Sequence, residues 1–254
     1  MTEIVVTGIG FISSIGDDLP LAHQLLCEGK TGLAVSSLKG VGNDQISGEI
    51  RDFDAKKYLG DTKSLRPLNR AAKLLASATQ LAINDSCLDE SFRESNEVGL
   101  AVGTTFCSLG TISSFDYRAQ QEGPKYASAL DFANTVLNSA AGQTAIWHNL
   151  RGCNSTLSAG SVSSLGAISY AADLLRAGRE KVMIAGGLEE LSAESLIGYQ
   201  GSDRHCPGGE KIYPIPLDDH RNGFVVGEGT AMFVLERQED AINRGAKPLS
   251  LIHI

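Results

Sequence analysis

The stretch that most constrains the fold of this chain is NSTLSAGSVSSLGAISYAADLLRAG, residues 154–178. A short polar and β-branched run leads into an abrupt turn at Ala159-Gly160-Ser161, and a small-residue pattern typical of a helix follows. A strand that turns directly into a helix presents one side chain at the helix N-terminus. There, unpaired backbone N–H groups and the helix dipole favour negative charge. Ser161 occupies this position, which suits a nucleophile or an oxyanion.

Strand-like and helical patterns alternate along the rest of the chain. Because such alternation favours a sheet with crossover connections, we predict an α/β fold with a mixed, mostly parallel sheet flanked by helices. No linker, repeat or low-complexity tract interrupts the pattern, so we predict a single domain over residues 1–254. Strands are predicted at 4–9, 97–103, 154–158, 181–186, 223–227, 230–236 and 249–254, and helices at 18–29, 66–84, 138–149 and 162–178.

Composition excludes several classes of function. The net charge of −8 and the lack of any Lys/Arg cluster argue against a nucleic-acid partner. No signal-peptide core and no apolar run of membrane-spanning length is present, so we expect no membrane partner and a cytoplasmic protein. Five scattered cysteines fit neither a zinc site nor a disulfide framework, and the glycine patterns lack a nucleotide-loop context. We therefore predict neither a metal nor a cofactor.

Several motifs in order carry a resemblance to a known family. They are IVVTGIGFISSIG (4–16), KVMIAGGLEE (181–190) and PLDDHRNGFVVGEGTAMFVLE (216–236). Together with the turn at Ser161, they resemble the β-ketoacyl-acyl-carrier-protein synthases of the thiolase superfamily over essentially the whole chain. In that family the turn reads Thr-Ala-Cys, and the cysteine carries the growing acyl chain. The spacing from Gly152 to Gly186-Gly187 implies that Ser161 stands at the cysteine position.

The resemblance also implies a second, related half that supplies two catalytic histidines, a lysine and a glycine-rich loop. The motifs found in residues 1–254 do not include these features. We therefore expect one half of the family's fold, with an apolar face that an associated protein covers.

We interpret the chain as a non-catalytic partner of an active, full-length ketosynthase subunit, similar to a chain-length factor of a type II pathway. It would help to shape the acyl tunnel, and acyl carrier protein would bind through the partner. The resemblance places the dimer contact at about 154–158. The residues that it implies for the tunnel and interface are Phe106, Cys107, Phe132, Val136, Leu137, Leu157 and Ser161, and those for a bracing loop are Asp218, Arg221 and Glu228.

Two alternatives stay open. The first is a serine acyltransferase or thioesterase-like enzyme that acts on carrier-bound acyl groups through Ser161. Because a serine hydroxyl needs an adjacent base, that enzyme would use His205, His220 or a base from the partner. The second is the amino-terminal portion of a longer ketosynthase. His148 ends a predicted helix, where a cation suits the dipole, and we expect it to be a surface or packed histidine without a catalytic role. We assign no chemistry to Glu189 and Glu190.

Overall fold

The strands form one main sheet and one small hairpin in the computed structural model, which describes residues 2–60, 63–201 and 215–252. The strands are β1 (Ile4–Ser13), β2 (Ala34–Val35), β3 (Ile46–Ser47), β4 (Val98–Gly103), β5 (Asn154–Leu157), β6 (Val182–Glu189), β7 (Gly229–Arg237) and β8 (Ser250–Ile252). Six of them form a sheet in the order β5-β4-β6-β7-β1-β8, and β2 pairs with β3 apart from it. Strands β1, β4, β5 and β6 run in one direction, and β7 and β8 run against them. The prediction of a mixed sheet of mostly parallel strands is confirmed.

Helices flank this sheet on both faces. They are α1 (Leu19–Cys27), α2 (Lys56–Leu59), α3 (Arg70–Asp85), α4 (Glu90–Ser95), α5 (Leu109–Glu122), α6 (Ala129–Ala133), α7 (Ser139–His148), α8 (Ser163–Arg176), α9 (Ala193–Gln200) and α10 (Gln238–Asn243). All four predicted helices are present. The one predicted from residue 66 begins at Arg70, because the Asn69 side chain accepts a hydrogen bond from the Ala72 N–H and caps the helix there.

Helices α3 and α7 cover one face of the sheet, which we call the closed face. Its core includes Ile12, Leu75 and Val234, all buried. Helix α3 lies unusually close to β1: a Cβ on Gly10 would stand 2.0 Å from the carbonyl oxygen of Ala78. Only glycine permits this approach, so the small residues of β1 determine how tightly the closed face packs.

The opposite face, which we call the open face, is covered by α8 over β4, β5 and β6. A smaller cluster of buried residues joins α8 to these strands. On β1 and β7 the side chains of Ile9, Phe11 and Phe233 point to this face and stay partly exposed. In the part of the chain that the structure describes, one half of the open face therefore presents apolar side chains without a covering layer.

The predicted strand at 223–227 is wrong. Gly223 has a φ of +130°, outside the range of a strand, and the segment pairs with the backbone around Gly48 through an isolated bridge at Gly227. The Gly48 N–H donates to the Val226 carbonyl, and the Glu228 N–H donates to the Gly48 carbonyl. Of the run 249–254, residues 250–252 form β8, and 253–254 lie outside the described residues.

Candidate functional site

Ser161 lies in the turn that joins β5 to α8, as the sequence predicts. Gly160 has a φ of +61°, a left-handed conformation that glycine adopts without strain. The Ser163 hydroxyl fastens the turn: it accepts the Ala159 N–H at 2.8 Å and donates to the Gly160 carbonyl at 2.7 Å. The Ser161 side chain is exposed at the start of α8. The turn thus holds the Ser161 hydroxyl in the open at a helix N-terminus.

The start of α8 lies almost on the sheet because glycines stand beneath it. A Cβ on Gly103 would be 2.3 Å from the carbonyl carbon of Ser163, and one on Gly187 would be 1.9 Å from the hydroxyl oxygen of Ser164. Both glycines are at the carboxyl ends of neighbouring strands, β4 and β6. This close contact brings Ser161 to the strand ends, where open α/β sheets place their ligand sites.

A cavity of about 370 Å³ opens beside Ser161 on the open face. The end of β1, the ends of β4 and β6, the start of β7 and the first turn of α8 form its wall, and its surface is mainly apolar. Such a lining suits an apolar ligand. The residues around it include Phe11, Ser13, Thr105, Gly160, Ser161, Ile168, Gly187, Glu189, Ala231 and Phe233.

No described histidine reaches the Ser161 hydroxyl. His23 is exposed on α1, and His220 is exposed beside Asp218, 3.1 Å from its carboxylate. His148 is buried, and its Nε2 lies 2.9 Å from the carbonyl oxygen of Ala76. His205, predicted as a candidate base, lies outside the described residues, as does His253.

His148 is a packed histidine at the end of α7, as expected. Burial lowers its pKa from 6.5 to about 4, because the charged imidazolium would lose its hydration. The side chain is therefore neutral at pH 7. It packs between α7 and α3 and stabilises the closed face through its bond to Ala76.

Glu189, at the end of β6, holds the loop after β4. Its carboxylate accepts three successive backbone N–H groups, from Thr105 at 2.7 Å and from Phe106 and Cys107 at 2.9 Å each. The Thr105 hydroxyl in turn donates to the Gly160 carbonyl at 3.2 Å. This carboxylate thus links the loop to the turn that carries Ser161.

Glu190 points to the other face of the sheet and has a different environment. It is buried and accepts the N–H of Ala71, in the first turn of α3, at 2.9 Å. Burial raises the pKa of this carboxyl from 4.5 to about 7. Nearby, Arg70 makes a two-pronged pair with Glu228 at 2.7 and 2.8 Å.

The residues predicted for the tunnel and interface lie in different parts of the structure. Of these, Ser161 alone lines the cavity. Phe106 turns its ring onto Tyr199, and Cys107 is buried in the core of the closed face. Leu157 packs against the small cluster around α8. The other three, Phe132, Val136 and Leu137, are exposed on the segment that leads into α7.

The three residues predicted for the bracing loop do not form one network. Glu228 binds Arg70 and the Ile50 N–H, so it does brace the fold. Asp218 instead accepts the N–H of His220, and Arg221 donates its N–H to the Asp218 carbonyl. These two residues shape a local turn.

Sequence analysis missed the contribution of Glu189 and Thr105. The available signal was the position of Glu189 at the end of a buried strand, two residues after the Gly186-Gly187 pair. Among the described residues, no group of three or more His, Cys, Asp or Glu side chains could hold a metal ion. None of the helices within them is long and apolar enough to cross a bilayer.

Comparisons with known proteins agree on one family. The family model described as "Beta-ketoacyl synthase, N-terminal domain" matches residues 1–241. The 3-oxoacyl-[acyl-carrier-protein] synthase 2 of Synechocystis is 32% identical over 252 residues, which cover 96% of this chain and 60% of that protein. The corresponding protein of Vibrio harveyi is 29% identical, with the same coverage. The chain therefore spans about 60% of the length of these relatives.

Solved structures give the same result. A β-ketoacyl synthase from Burkholderia phymatum matches with a TM-score of 0.85 and 25% identity, covering 99% of this chain and 63% of that one. The ishigamide ketosynthase/chain length factor matches with a TM-score of 0.88 and 22% identity, covering 99% and 62%. Both show the thiolase-like ketosynthase fold that the motifs imply.

Proposed function

The chain belongs to the β-ketoacyl synthase family, and we propose that it acts as a non-catalytic partner of an active, full-length ketosynthase. Its role is similar to that of a chain-length factor in cytoplasmic type II fatty acid, polyketide or polyene biosynthesis. In this role the chain completes a dimer and shapes the acyl tunnel, and acyl carrier protein binds through the partner. Ser161 takes the position of the family's cysteine.

The observation that carries the proposal is the isolation of the Ser161 hydroxyl. None of the described side chains makes a hydrogen bond to it, and no described histidine lines the cavity. A cysteine thiol with a pKa near 8.5 ionises readily at a helix N-terminus, but a serine hydroxyl needs a base to remove its proton. Ser161 therefore supports the shape and polarity of the cavity rather than covalent chemistry.

Two features of the surface support a protein partner. Strand β5 is at the edge of the sheet, with hydrogen-bonding groups on its outer side that no strand of the described chain uses. Helix α7 packs beside β5. The segment before α7 exposes apolar side chains, among them Phe132, which is 61% exposed. A free strand edge beside an apolar patch is a ready surface for a second subunit.

The cavity supports an acyl ligand. Phe11, Ile168 and Phe233 give it an apolar wall, and its glycine floor leaves room for a chain of methylene groups. Each buried methylene contributes about 0.8 kcal/mol, so a wall of this kind discriminates between chain lengths.

A second function follows from the exposure of Ser161. The hydroxyl is open to a ligand at the N-terminus of the 14-residue helix α8. With a base delivered by a partner, it would accept an acyl group from a carrier thioester: the Ser161 oxygen forms the ester bond, the carbon–sulfur bond breaks, and the carrier leaves as a thiol.

One experiment separates the two functions. The chain is purified from its native host with its bound proteins, and intact masses are measured for wild type, Ser161→Ala and the control Ser158→Ala, which alters an exposed serine of the same turn. The proposal expects a full-length ketosynthase in stoichiometric amount, no acyl mass on this chain, and the same products from all three. An acyl adduct that Ser161→Ala alone abolishes would establish the acyltransferase and overturn the proposal.

A further inference from the structure

We infer that Glu189 is a positioning residue that holds the 104–107 loop against the Ser161 turn and thereby sets the mouth of the cavity. Three successive N–H groups converge on its carboxylate. Two of them, from Phe106 and Cys107, share Oε1, and the Thr105 N–H binds Oε2. Successive N–H groups that point to one place form a nest for an anionic group, and here the chain fills the nest with its own side chain.

The loop needs this support because its backbone is strained. Cys107 has a φ of +51°, a left-handed conformation that costs a non-glycine residue about 1 kcal/mol or more. The hydroxyl of Thr104 adds one bond within the loop, to the Cys107 N–H at 3.0 Å. The three bonds to Glu189 tie the strained loop to the end of β6 and keep this conformation in place.

The 104–107 loop contacts two neighbouring parts of the molecule, the Ser161 turn and a group of aromatic rings. Thr105 donates its hydroxyl to the Gly160 carbonyl, so a shift of the loop moves the residue directly before Ser161. Phe106 packs its ring edge-to-face on Tyr199, with centroids 5.8 Å apart, and Tyr199 packs on Phe224 at 5.4 Å. Glu189 therefore sets the distance between the Ser161 turn and the aromatic cluster around Phe106.

Only a carboxylate of this length can accept all three N–H groups of the loop. A glutamine at 189 keeps the size of the side chain but replaces one acceptor oxygen with an NH₂ group, which faces a backbone N–H. An aspartate keeps both acceptors but is one methylene shorter. Glu190 provides a matched control, because it is the next residue of the chain and it contacts α3 on the opposite face of the sheet.

The direct test is amide hydrogen exchange on the complex as it is purified from the host. Loss of a hydrogen bond to a charged group costs enough to raise exchange at Thr105–Cys107 about tenfold in Glu189→Gln. We expect Glu189→Asp to restore part of this protection and Glu190→Gln to leave it unchanged. Exchange in α3 reports whether each variant is folded. Wild-type protection of the loop in a folded Glu189→Gln variant would overturn the inference.

A second variant tests the link to Ser161 separately. Thr105→Val removes the hydroxyl that binds Gly160 but leaves all three N–H groups on Glu189. The Ser163 N–H donates to the same Gly160 carbonyl, so its exchange should rise severalfold while the 105–107 amides stay protected. Equal exchange at Ser163 in wild type and Thr105→Val would show that the loop does not hold the Ser161 turn.

The effect on products rests on the proposed function and is measured apart from exchange. In the complete complex, Glu189→Gln should broaden the distribution of product chain lengths, and Glu189→Asp should give a distribution closer to that of wild type. Faster exchange with an unchanged distribution would keep Glu189 as the positioning residue and reject the tunnel-shaping role. Unchanged exchange would reject the positioning itself.

Discussion

The closed and open faces of the sheet use the same strands but differ in how completely they are covered. On the closed face, α3 approaches β1 to the limit that glycine allows, and side chains such as Ile12 are buried. On the open face the neighbouring Phe11 and Phe233 stay partly exposed around a cavity. The difference teaches that the closed face provides most of the packing that stabilises this chain, whereas the open face keeps apolar surface exposed, as interaction surfaces do.

The largest effect should come from Gly10→Ala on the closed face. The new Cβ would meet backbone atoms of α3, 2.0 Å from the Ala78 oxygen and 2.4 Å from the Ala82 nitrogen, which cannot rotate away. We expect a loss of about 3 kcal/mol or more in the free energy of unfolding, measured by chemical denaturation. The control is Gly187→Ala on the open face, where the main obstacle is the Ser164 side chain, and it should cost less. Equal losses would contradict the comparison.

Two adjacent residues of β1 give the next test. Ile12→Ala removes a side chain that is 2% exposed, so we expect a loss of about 3 kcal/mol. Phe11→Ala removes a larger side chain from the open face, yet it should cost about 1 kcal/mol in this chain, because the ring is only partly buried. Denaturation of both variants under the same conditions tests the order. A greater loss for Phe11→Ala would show that the open face is better packed than we describe.

Two buried groups on the closed face should make stability respond to pH in opposite directions. The pKa of Glu190 is about 7 in the folded chain and 4.5 in the unfolded one, so its contribution falls as pH rises through this interval. The pKa of His148 is about 4 folded and 6.5 unfolded, so its contribution falls as pH drops from 6.5 to 4. Between about pH 4.5 and 6.5 the two slopes cancel.

Glu190→Gln should reveal the contribution of His148 to the pH dependence of stability, because it removes the opposing contribution of Glu190. The variant should gain about 1.4 kcal/mol of stability for each pH unit between pH 4.5 and 6.5, where wild type is nearly flat. At pH 8 it should be more stable than wild type by about 2 kcal/mol, because no carboxyl has to ionise in a buried site. Equilibrium unfolding at several pH values measures both. A flat profile in the variant would mean that His148 is protonated in the folded chain.

The smallest effect on stability should come from the outer surface of α8. Val162 is 56% exposed and Leu165 is 63% exposed, so their replacement by serine should change the free energy of unfolding by about 0.5 kcal/mol or less. Under the proposed function, in which a partner covers the open face, the same double variant should reduce the amount of ketosynthase that co-purifies. Full recovery of the partner would show that the surface of α8 takes no part in binding.

Sequence patterns were sufficient to predict the helices and strands that bury an apolar stripe. Helix α3 and the strands of the sheet center show clear periodicity, and all were predicted. Helix α5 was missed, because none of its residues is buried and no apolar stripe marks it. The Phe224-Val225-Val226 run looks like a strand in sequence, but Gly223 has a positive φ and the pairing with Gly48 is an isolated bridge, so no continuous strand forms.

The site was predictable only in part. The turn at Ser161 follows from local sequence, since Gly160 and the small residues of α8 are sufficient to indicate it. Glu189 and Glu190 could not be told apart, because adjacent carboxylates carry the same local signal. The pleat of β6 sends one to the cavity and the other to α3, and this depends on partners about 80 and 120 positions away in the chain.

The order of strands in the sheet has a consequence for synthesis of the protein. Strand β1 is made long before both of its neighbours, β7 and β8; the Thr7 hydroxyl binds a Glu236 carboxylate 229 residues further on. At about 5–20 residues per second, the ribosome needs on the order of 10–50 seconds to deliver these partners. During this interval the apolar strand IVVTGIGFI has no paired neighbour in the sheet, so chaperone capacity should limit the yield of folded chain.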